Sequence, residues 1–226
     1  MQYLIMPFKS QMMLCGYKNN EYLKYWKYAH FGVDISTIQG NAGDDHAIYA
    51  SGDGRVELVG RDNAVGNVVV VTYPDCYNHK TKKSCNLVAR YMHLSSINVK
   101  AGQVVKQGDI LGAEGNTGTG DYHLHIEFDT DTKYPAWSPQ VKGSNIIKKG
   151  CDSTVNPSYI FHVGAGQKIV TPTYNPAWLN SEDRTIPNAP EENVTCKQCE
   201  ESKRLVIEFL NDLKNRTDAM TAKLQN

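Results

Sequence analysis

The segment 122–128, "YHLHIEF", decides the fold class of this chain. Apolar and polar side chains alternate along it, which is typical of a β-strand whose two faces have different surroundings. One face carries the apolar side chains Leu124, Ile126 and Phe128. The other face carries two imidazoles and a carboxylate, those of His123, His125 and Glu127. We therefore expect a strand with a core face and a face available for chemistry.

Similar short runs fill the sequence from about residue 30 to residue 165. They include "RVELVG", "NVVVVTY", "LVARYMHL" and "VVKQGDILG", and Gly, Asn or Asp residues separate them. A parallel βαβ fold would need an amphipathic helix of about 10 to 15 residues between strands, and none is present. We predict a mainly β fold, with a compact antiparallel sheet domain over residues 1–165. The aromatic segment 19–30, "NNEYLKYWKYAH", is compatible with either a loop or a short helix.

Two segments of different character follow this domain. Residues 166–195 contain four prolines that interrupt regular structure, and they predict an extended linker or a strap across the domain. Residues 196–226 have heptad-like apolar spacing, with acids early and bases later, which predicts a C-terminal amphipathic α-helix. This helix either docks on its own protein or supports self-association or attachment to a larger particle such as a virion.

Charge and hydropathy argue against two kinds of partner. The 24 Lys and Arg residues balance the 24 Asp and Glu residues, so the basic surplus of a nucleic-acid-binding protein is absent. No apolar run approaches the roughly 18 residues of a membrane-spanning helix.

The N-terminal "MQYLIMPFKSQMM" lacks the basic region and cleavage site of a signal peptide, so export would need another route or a segment removed earlier.

The six cysteines are too few for a disulfide scaffold that replaces a core. Cys76 and Cys85 lie at the facing ends of "GNVVVVTY" and "LVARYMHL", and a hairpin would bring them together. That placement favours a disulfide over free thiols. Cys196 and Cys199 form a C-x-x-C pair, but no second Cys or His pair follows, so a disulfide or thiols are favoured over half a zinc site.

A first candidate pair of metal ligands is His30 and Asp34 in "HFGVD". On a fully extended chain, positions four apart are separated by roughly 13 Å, too far for both side chains to bind one ion. The chain must therefore bend near Gly32, where the absence of a side chain makes bending easy. An H-x-x-x-D pair alone is a weak signal.

The remaining candidate residues are three further histidines. His123 and His125 share one strand face about 6 to 7 Å apart, so one can bind a metal while the other reaches a bound water. His93 in "RYMHLSS" ends an apolar run and opens a polar turn, where catalytic side chains are often found. Catalytic zinc keeps three protein ligands and one open position, so this set supplies three ligands and two neighbouring imidazoles. The other histidines, His46, His79 and His162, have no such partner pattern.

The order of the motifs "HFGVD", "YMHLSS", "AGQVVKQGDILGAEGNTGTG" and "HLHIEF" resembles that of the lysostaphin/LytM-type zinc metallopeptidases, which cut peptide bonds in bacterial peptidoglycan. The resemblance covers about residues 30–128. It implies that His30, Asp34 and His125 bind Zn²⁺ and that His93 and His123 form the catalytic pair. It also implies an antiparallel β fold with a narrow groove, wall peptides as partners and action at the bacterial cell wall.

Two other functions remain as alternatives. The first is a degenerate member that binds wall peptides without cutting them, although all five site positions are intact here. The second is a biotinyl or lipoyl carrier, because "VKAGQVVKQGDILG" resembles half of the carrier motif, but the Met-Lys-Met triplet is missing. Within the first family, "TGTGDYH" departs from the usual pattern at Asp121 and Tyr122, which leaves the bond that is cut open. A phage-type lysin and a secreted enzyme both fit the sequence.

Overall fold

The computed structural model describes residues 1–37, 46–170, 172 and 175–190. In this part of the chain the first eight strands are β1 (Leu4–Ile5), β2 (Ser10–Cys15), β3 (Val33–Thr37), β4 (Ala47–Tyr49), β5 (Gly54–Asp62), β6 (Gly66–Asn78), β7 (Lys83–Leu94) and β8 (Ser96–Ile97). The others are β9 (Val104–Val105), β10 (Ile110–Ala113), β11 (Leu124–Asp129), β12 (Trp137–Ser138), β13 (Lys148–Lys149), β14 (Thr154–Val155), β15 (Phe161–His162) and β16 (Lys168–Val170). The helices are α1 (Asn20–Trp26) and the 3-10 turns Pro157–Tyr159, Pro176–Trp178 and Glu182–Arg184.

The main sheet has the strand order β16-β2-β3-β11-β7-β6-β5-β9, and β14 pairs with one end of β11. Strand β11 lies between β3 and β7 and is antiparallel to both. The long hairpin β6–β7 and its neighbour β5 form the other half of the sheet. The prediction of a mainly β, largely antiparallel fold is confirmed.

Strand β11 contains the segment that predicted the fold. Its apolar side chains Leu124, Ile126 and Phe128 are fully buried in the larger core cluster, as expected. The opposite face is buried too, because His125 is 8% exposed and Glu127 only 1%. The side chains of Arg90, on β7, and of Ser138 both donate hydrogen bonds to Glu127 on this polar face. The face expected to be open is therefore closed at Glu127 and opens only towards His123.

The hairpin predicted from "GNVVVVTY" and "LVARYMHL" is present as β6 and β7, and Cys76 and Cys85 are directly paired in its register. Both cysteines are free thiols in the structure, so the favoured disulfide is not formed in it. Cys76 is fully buried, and its thiol donates to the Tyr73 carbonyl at 3.2 Å. Burial raises the pKa of both thiols, which makes them slow to react.

Although the two thiols react slowly, we expect prolonged oxidation to form a Cys76–Cys85 bond, since the register already places these residues opposite each other. Closing a loop of this size stabilises a fold by roughly 2 to 3 kcal/mol, so the Tm should rise by about 4 to 12 °C. Thermal unfolding with and without reductant measures the shift, and peptide mapping identifies the bond. Cys85→Ser is the control and should remove the shift; a shift that persists in this variant would contradict the pairing.

The aromatic segment 19–30 forms the short helix α1. The Asn19 side chain caps it by accepting hydrogen bonds from the N–H groups of Glu21 and Tyr22 at 2.9 and 3.2 Å. The helix ends at Lys27, whose backbone is left-handed with φ of 63°. No side chain of α1 is buried, and Tyr25 and Trp26 are 68% and 49% exposed.

Residues 175–189 lie against the β domain. Leu179 is buried in the main core cluster, and Val163 forms a parallel bridge with Asn188. The buried carboxylate of Asp183 accepts hydrogen bonds from the Ser158 hydroxyl and from the Asn180 N–H. Residues 1–189 accordingly form one compact unit. The predicted C-terminal helix at 196–226 lies outside the described residues.

No helix in the described ranges is both long and apolar enough to cross a membrane.

Candidate metal centre

Three of the predicted site residues meet where β3 lies beside β11. Asp34 and His125 are paired in the register of these strands, and His30 lies three residues before β3 begins. The Asp34 Oδ1 atom is 2.9 Å from His125 Nδ1 and 3.1 Å from His30 Nε2, and the two nitrogens are 3.0 Å apart. Ligands about 2 Å from a tetrahedral zinc ion lie about 3.3 Å from each other. The two imidazoles and one carboxylate therefore fit a zinc ion in both chemistry and spacing.

Gly32 is the residue that lets these ligands approach. A Cβ atom at this position would lie 2.4 Å from the Ile126 carbonyl oxygen and 2.8 Å from His125 Nε2. The sequence indicated that glycine was needed for a bend. The structure shows a different reason: the backbone at Gly32 lies directly against β11 and against the ring of a candidate ligand.

We expect Gly32→Ala to lower the zinc affinity at least about tenfold, since the new methyl group would push the His125 ring or β11 aside. Competition with a chromogenic zinc chelator measures the change. Gly120→Ala is the matched control, because a Cβ there meets nothing within 4 Å. Equal zinc affinity in the two variants would show that the close approach has no bearing on the site.

Backbone carbonyls determine the protonation pattern of three histidines. The Nδ1–H groups of His30, His93 and His123 donate to the carbonyls of Gly16, Thr117 and Asp121, at 2.9, 2.9 and 3.0 Å. A carbonyl only accepts, so each Nδ1 must carry the hydrogen, and Nε2 of the neutral ring is left with a free lone pair. For His30 this lone pair faces the other two ligands. For His93 and His123 it is available to a substrate or water.

His93 and His123 flank the three ligands. The His123 Nε2 atom is 3.7 Å from Asp34 Oδ1, and the ring centroids of His93 and His123 are 5.0 Å apart. His93 has a left-handed backbone with φ of 70°, a conformation that is uncommon for a non-glycine residue. Burial, followed by the nearby charges of His125 and His123, lowers the pKa of His93 to about 4. His93 is therefore neutral at physiological pH.

Two of the three candidate ligands, Asp34 and His125, have pKa values shifted by their contacts with each other and with their neighbours. Burial would raise the pKa of Asp34, but the neighbouring imidazoles of His30, His123 and His125 hold it well below its usual value. Burial would likewise lower the pKa of His125, but hydrogen bonds to Asp34 and Glu127 raise it to about 9. The Asp34 carboxylate is therefore ionised, which is the form that binds a cation.

Several residues near the site were not predicted from sequence. Arg90 is fully buried and forms ion pairs with Glu127 at 2.7 Å and Asp129 at 2.6 Å. Burial would raise the pKa of Glu127, but the Arg90 charge and the His125 contact lower it to about 2. The one sequence signal was an arginine inside the apolar run "LVARYMHL". The Tyr22 ring stacks on His30 with 4.4 Å between centroids, and nothing in the pattern indicated this contact.

Cys15 is a further group close to the ligands. It pairs with Asp34 across β2 and β3, and one donor atom each of Cys15, His30 and Asp34 lie within 4.8 Å of one another. Burial and the charges of Asp34 and Asp183 raise the pKa of this thiol far above its usual value. The Cys15 thiol donates to the Gly16 carbonyl at 3.7 Å and has no described hydrogen bond to His30, Asp34 or His125.

Comparison with known proteins gives a match over this same region. Residues 28–136 match the model of Peptidase family M23. The peptidoglycan DD-endopeptidase ShyA of Vibrio cholerae is 42% identical over 100 residues, which are 43% of this chain and 20% of that protein. An uncharacterized metalloprotease of Haemophilus influenzae is 32% identical over 146 residues, 63% of this chain and 27% of that protein. Among solved structures, lysostaphin from Staphylococcus simulans aligns with a TM-score of 0.43 and 24% identity, covering 65% of this chain and 47% of that one.

Proposed function

We propose that the protein is a zinc-dependent endopeptidase that hydrolyses peptide bonds in bacterial peptidoglycan, on the basis that residues 28–136 match the model of Peptidase family M23. The observation that carries the proposal is the convergence of His30 Nε2, Asp34 Oδ1 and His125 Nδ1 within 3.1 Å of one another. The substrate class is supported by the similarity to ShyA and ShyB, both named as peptidoglycan DD-endopeptidases. The chain spans 20% of the length of each of these relatives.

In the proposed mechanism, bound zinc would polarise the scissile carbonyl and make a water molecule more acidic. His123 accepts the proton of the attacking water on Nε2, because its Nδ1–H is committed to the Asp121 carbonyl and its Nε2 lies beside Asp34. The resulting imidazolium then returns that proton to the leaving amine. His93 remains neutral and accepts a hydrogen bond on Nε2, which orients the water.

Digestion of purified peptidoglycan tests this function directly. Dye-labelled walls should release soluble fragments, release should stop after treatment with a chelator, and stoichiometric zinc should restore it. Sequencing of the fragments identifies the bond cut, whether in the stem peptide or in the cross-bridge. Binding to walls without any release of fragments would instead support the non-catalytic alternative.

The proposal includes the bacterial cell wall as the place of action, and both a phage-type lysin and a secreted enzyme fit it as the biological setting. Two relatives named as peptidoglycan DD-endopeptidases and one named as a cell division protein support the first part. Protein added from outside should reduce the turbidity of susceptible intact cells if it acts as a lysin. Activity on isolated walls but on no intact bacteria would count against that setting while leaving the peptidase function intact.

A further inference from the structure

We propose that Glu127, clamped by Arg90, is a positioning residue that holds the His125 ring so that Nδ1 faces the metal. The proposal deepens the proposed function and rests on its metal site, but its test does not depend on hydrolysis. Glu127 Oε1 lies 3.4 Å from His125 Nε2, the ring nitrogen opposite to the one that meets Asp34. A carboxylate accepting a hydrogen bond from the outer nitrogen of a metal-bound histidine fixes both ring orientation and tautomer.

The other histidines of the site show why His125 needs such a partner. His30, His93 and His123 each have Nδ1 held by a backbone carbonyl, and each presents Nε2. His125 is inverted, since it presents Nδ1 to the ligand cluster and turns Nε2 inward. Among the described contacts of this ring, the inward nitrogen meets a side chain and no backbone carbonyl. The position of His125 therefore depends on what holds the Glu127 carboxylate.

Two side chains, those of Arg90 and Ser138, hold that carboxylate in place. Arg90 and Glu127 are directly opposite in the register of β7 and β11, and Arg90 Nε donates to Glu127 Oε2 at 2.7 Å. The Ser138 hydroxyl donates to Oε1 at 3.1 Å, which leaves the second lone pair of that oxygen for His125. Arg90 is itself fixed by Asp129 at 2.6 Å and by the Pro135 carbonyl at 3.0 Å. Each oxygen of the Glu127 carboxylate therefore accepts a hydrogen bond that restrains its orientation.

The charge of this cluster supports the same conclusion. Arg90, Glu127 and Asp129 are each at most 1% exposed, and together they carry one net negative charge. Buried ion pairs contribute little to stability after desolvation, so stability alone is a weak reason to retain three buried charges. Holding the Glu127 carboxylate against the ring of His125 gives a specific reason to retain this cluster.

Glu127→Gln is the variant that tests the proposal. An amide has one oxygen, whereas Arg90 Nε and His125 Nε2–H are both donors that face this side chain. The zinc dissociation constant, measured by chelator competition, should rise about 10 to 100-fold. At saturating zinc the hydrolysis rate should recover, because His93 and His123 have no described contact with Glu127. Unchanged zinc affinity would overturn the proposal.

Asp129→Asn is the matched control. It removes one negative charge from the same buried cluster and also contacts Arg90, but it has no described contact with His125. Its zinc-free Tm should fall while its zinc affinity stays within about threefold of the starting protein. Equal losses of zinc affinity in the two variants would show a general effect of charge or folding and would overturn the positioning role. If Glu127→Gln does not fold, Glu127→Asp replaces it as the test. Aspartate keeps the charge, but its shorter side chain moves the carboxylate away from His125. Full zinc affinity in the Glu127→Asp variant would also overturn the proposal.

Discussion

Replacing His123 with alanine is expected to abolish wall hydrolysis while zinc stays bound. The ring lies outside the three-ligand cluster, with its Nε2 3.7 Å from Asp34 Oδ1, so its removal leaves all three donor atoms in place. General acid–base groups typically contribute about 10² to 10⁴-fold to a rate, and we expect a loss within that range. Dye release from labelled walls gives the rate, and elemental analysis gives the zinc content.

His79→Ala is the control for the His123 variant. His79 lies at the far tip of the β6–β7 hairpin, where its ring bonds to the Ser158 carbonyl, so activity should be unchanged. A His123→Ala protein with full activity would refute the assignment of the proton transfer. Loss of zinc together with activity would place His123 among the ligands and require a different division of roles.

Replacing Asp34 with alanine is expected to have the largest effect on the site. Its Oδ1 atom contacts both candidate ligand histidines, His30 and His125, and also lies near His123. Asp34 is thus close to three of the four other predicted site residues. The zinc dissociation constant should rise by more than the roughly 100-fold upper range of an outer-shell change, and activity should fall with it. Chelator competition and dye release measure both.

The control for the Asp34 variant is Asp121→Ala. Asp121 lies next to the site, but its contact with His123 is made by its backbone carbonyl, which alanine retains. Zinc binding should therefore be unchanged in this variant. An Asp34→Ala protein that keeps stoichiometric zinc after dialysis against a chelator would contradict the proposed ligand set.

The sequence was sufficient to predict the strands and the meeting of the site residues. Alternation in "YHLHIEF" places its apolar face in the core, and the hairpin that pairs Cys76 with Cys85 follows from two β-rich runs and their turn. Such patterns are local, and the period of a strand is the same in every fold. The motif order then linked His30 and Asp34 to a histidine pair about 90 residues later in the chain.

Local sequence patterns could not predict the contacts between residues that are far apart in the chain. The burial of Glu127 depends on Arg90, which lies opposite it only because of the register of β7 and β11. The need for glycine at position 32 depends on how closely that backbone approaches β11, a distance that no local pattern contains. Burial of polar residues is decided by such partners, and each partner comes from a different part of the chain.

The use of backbone carbonyls to hold three of the histidines has a consequence for how the proposed activity of this protein can be modified. Asp121 orients His123 through its main chain, so its side chain and that of the neighbouring Tyr122 can vary without disturbing proton transfer. Tyr122 is 57% exposed beside the site, where it can contact a bound peptide. Under the proposed function, substrate preference and proton transfer would rest on separate features of the same few residues, which makes this loop a suitable place for directed evolution of cleavage specificity.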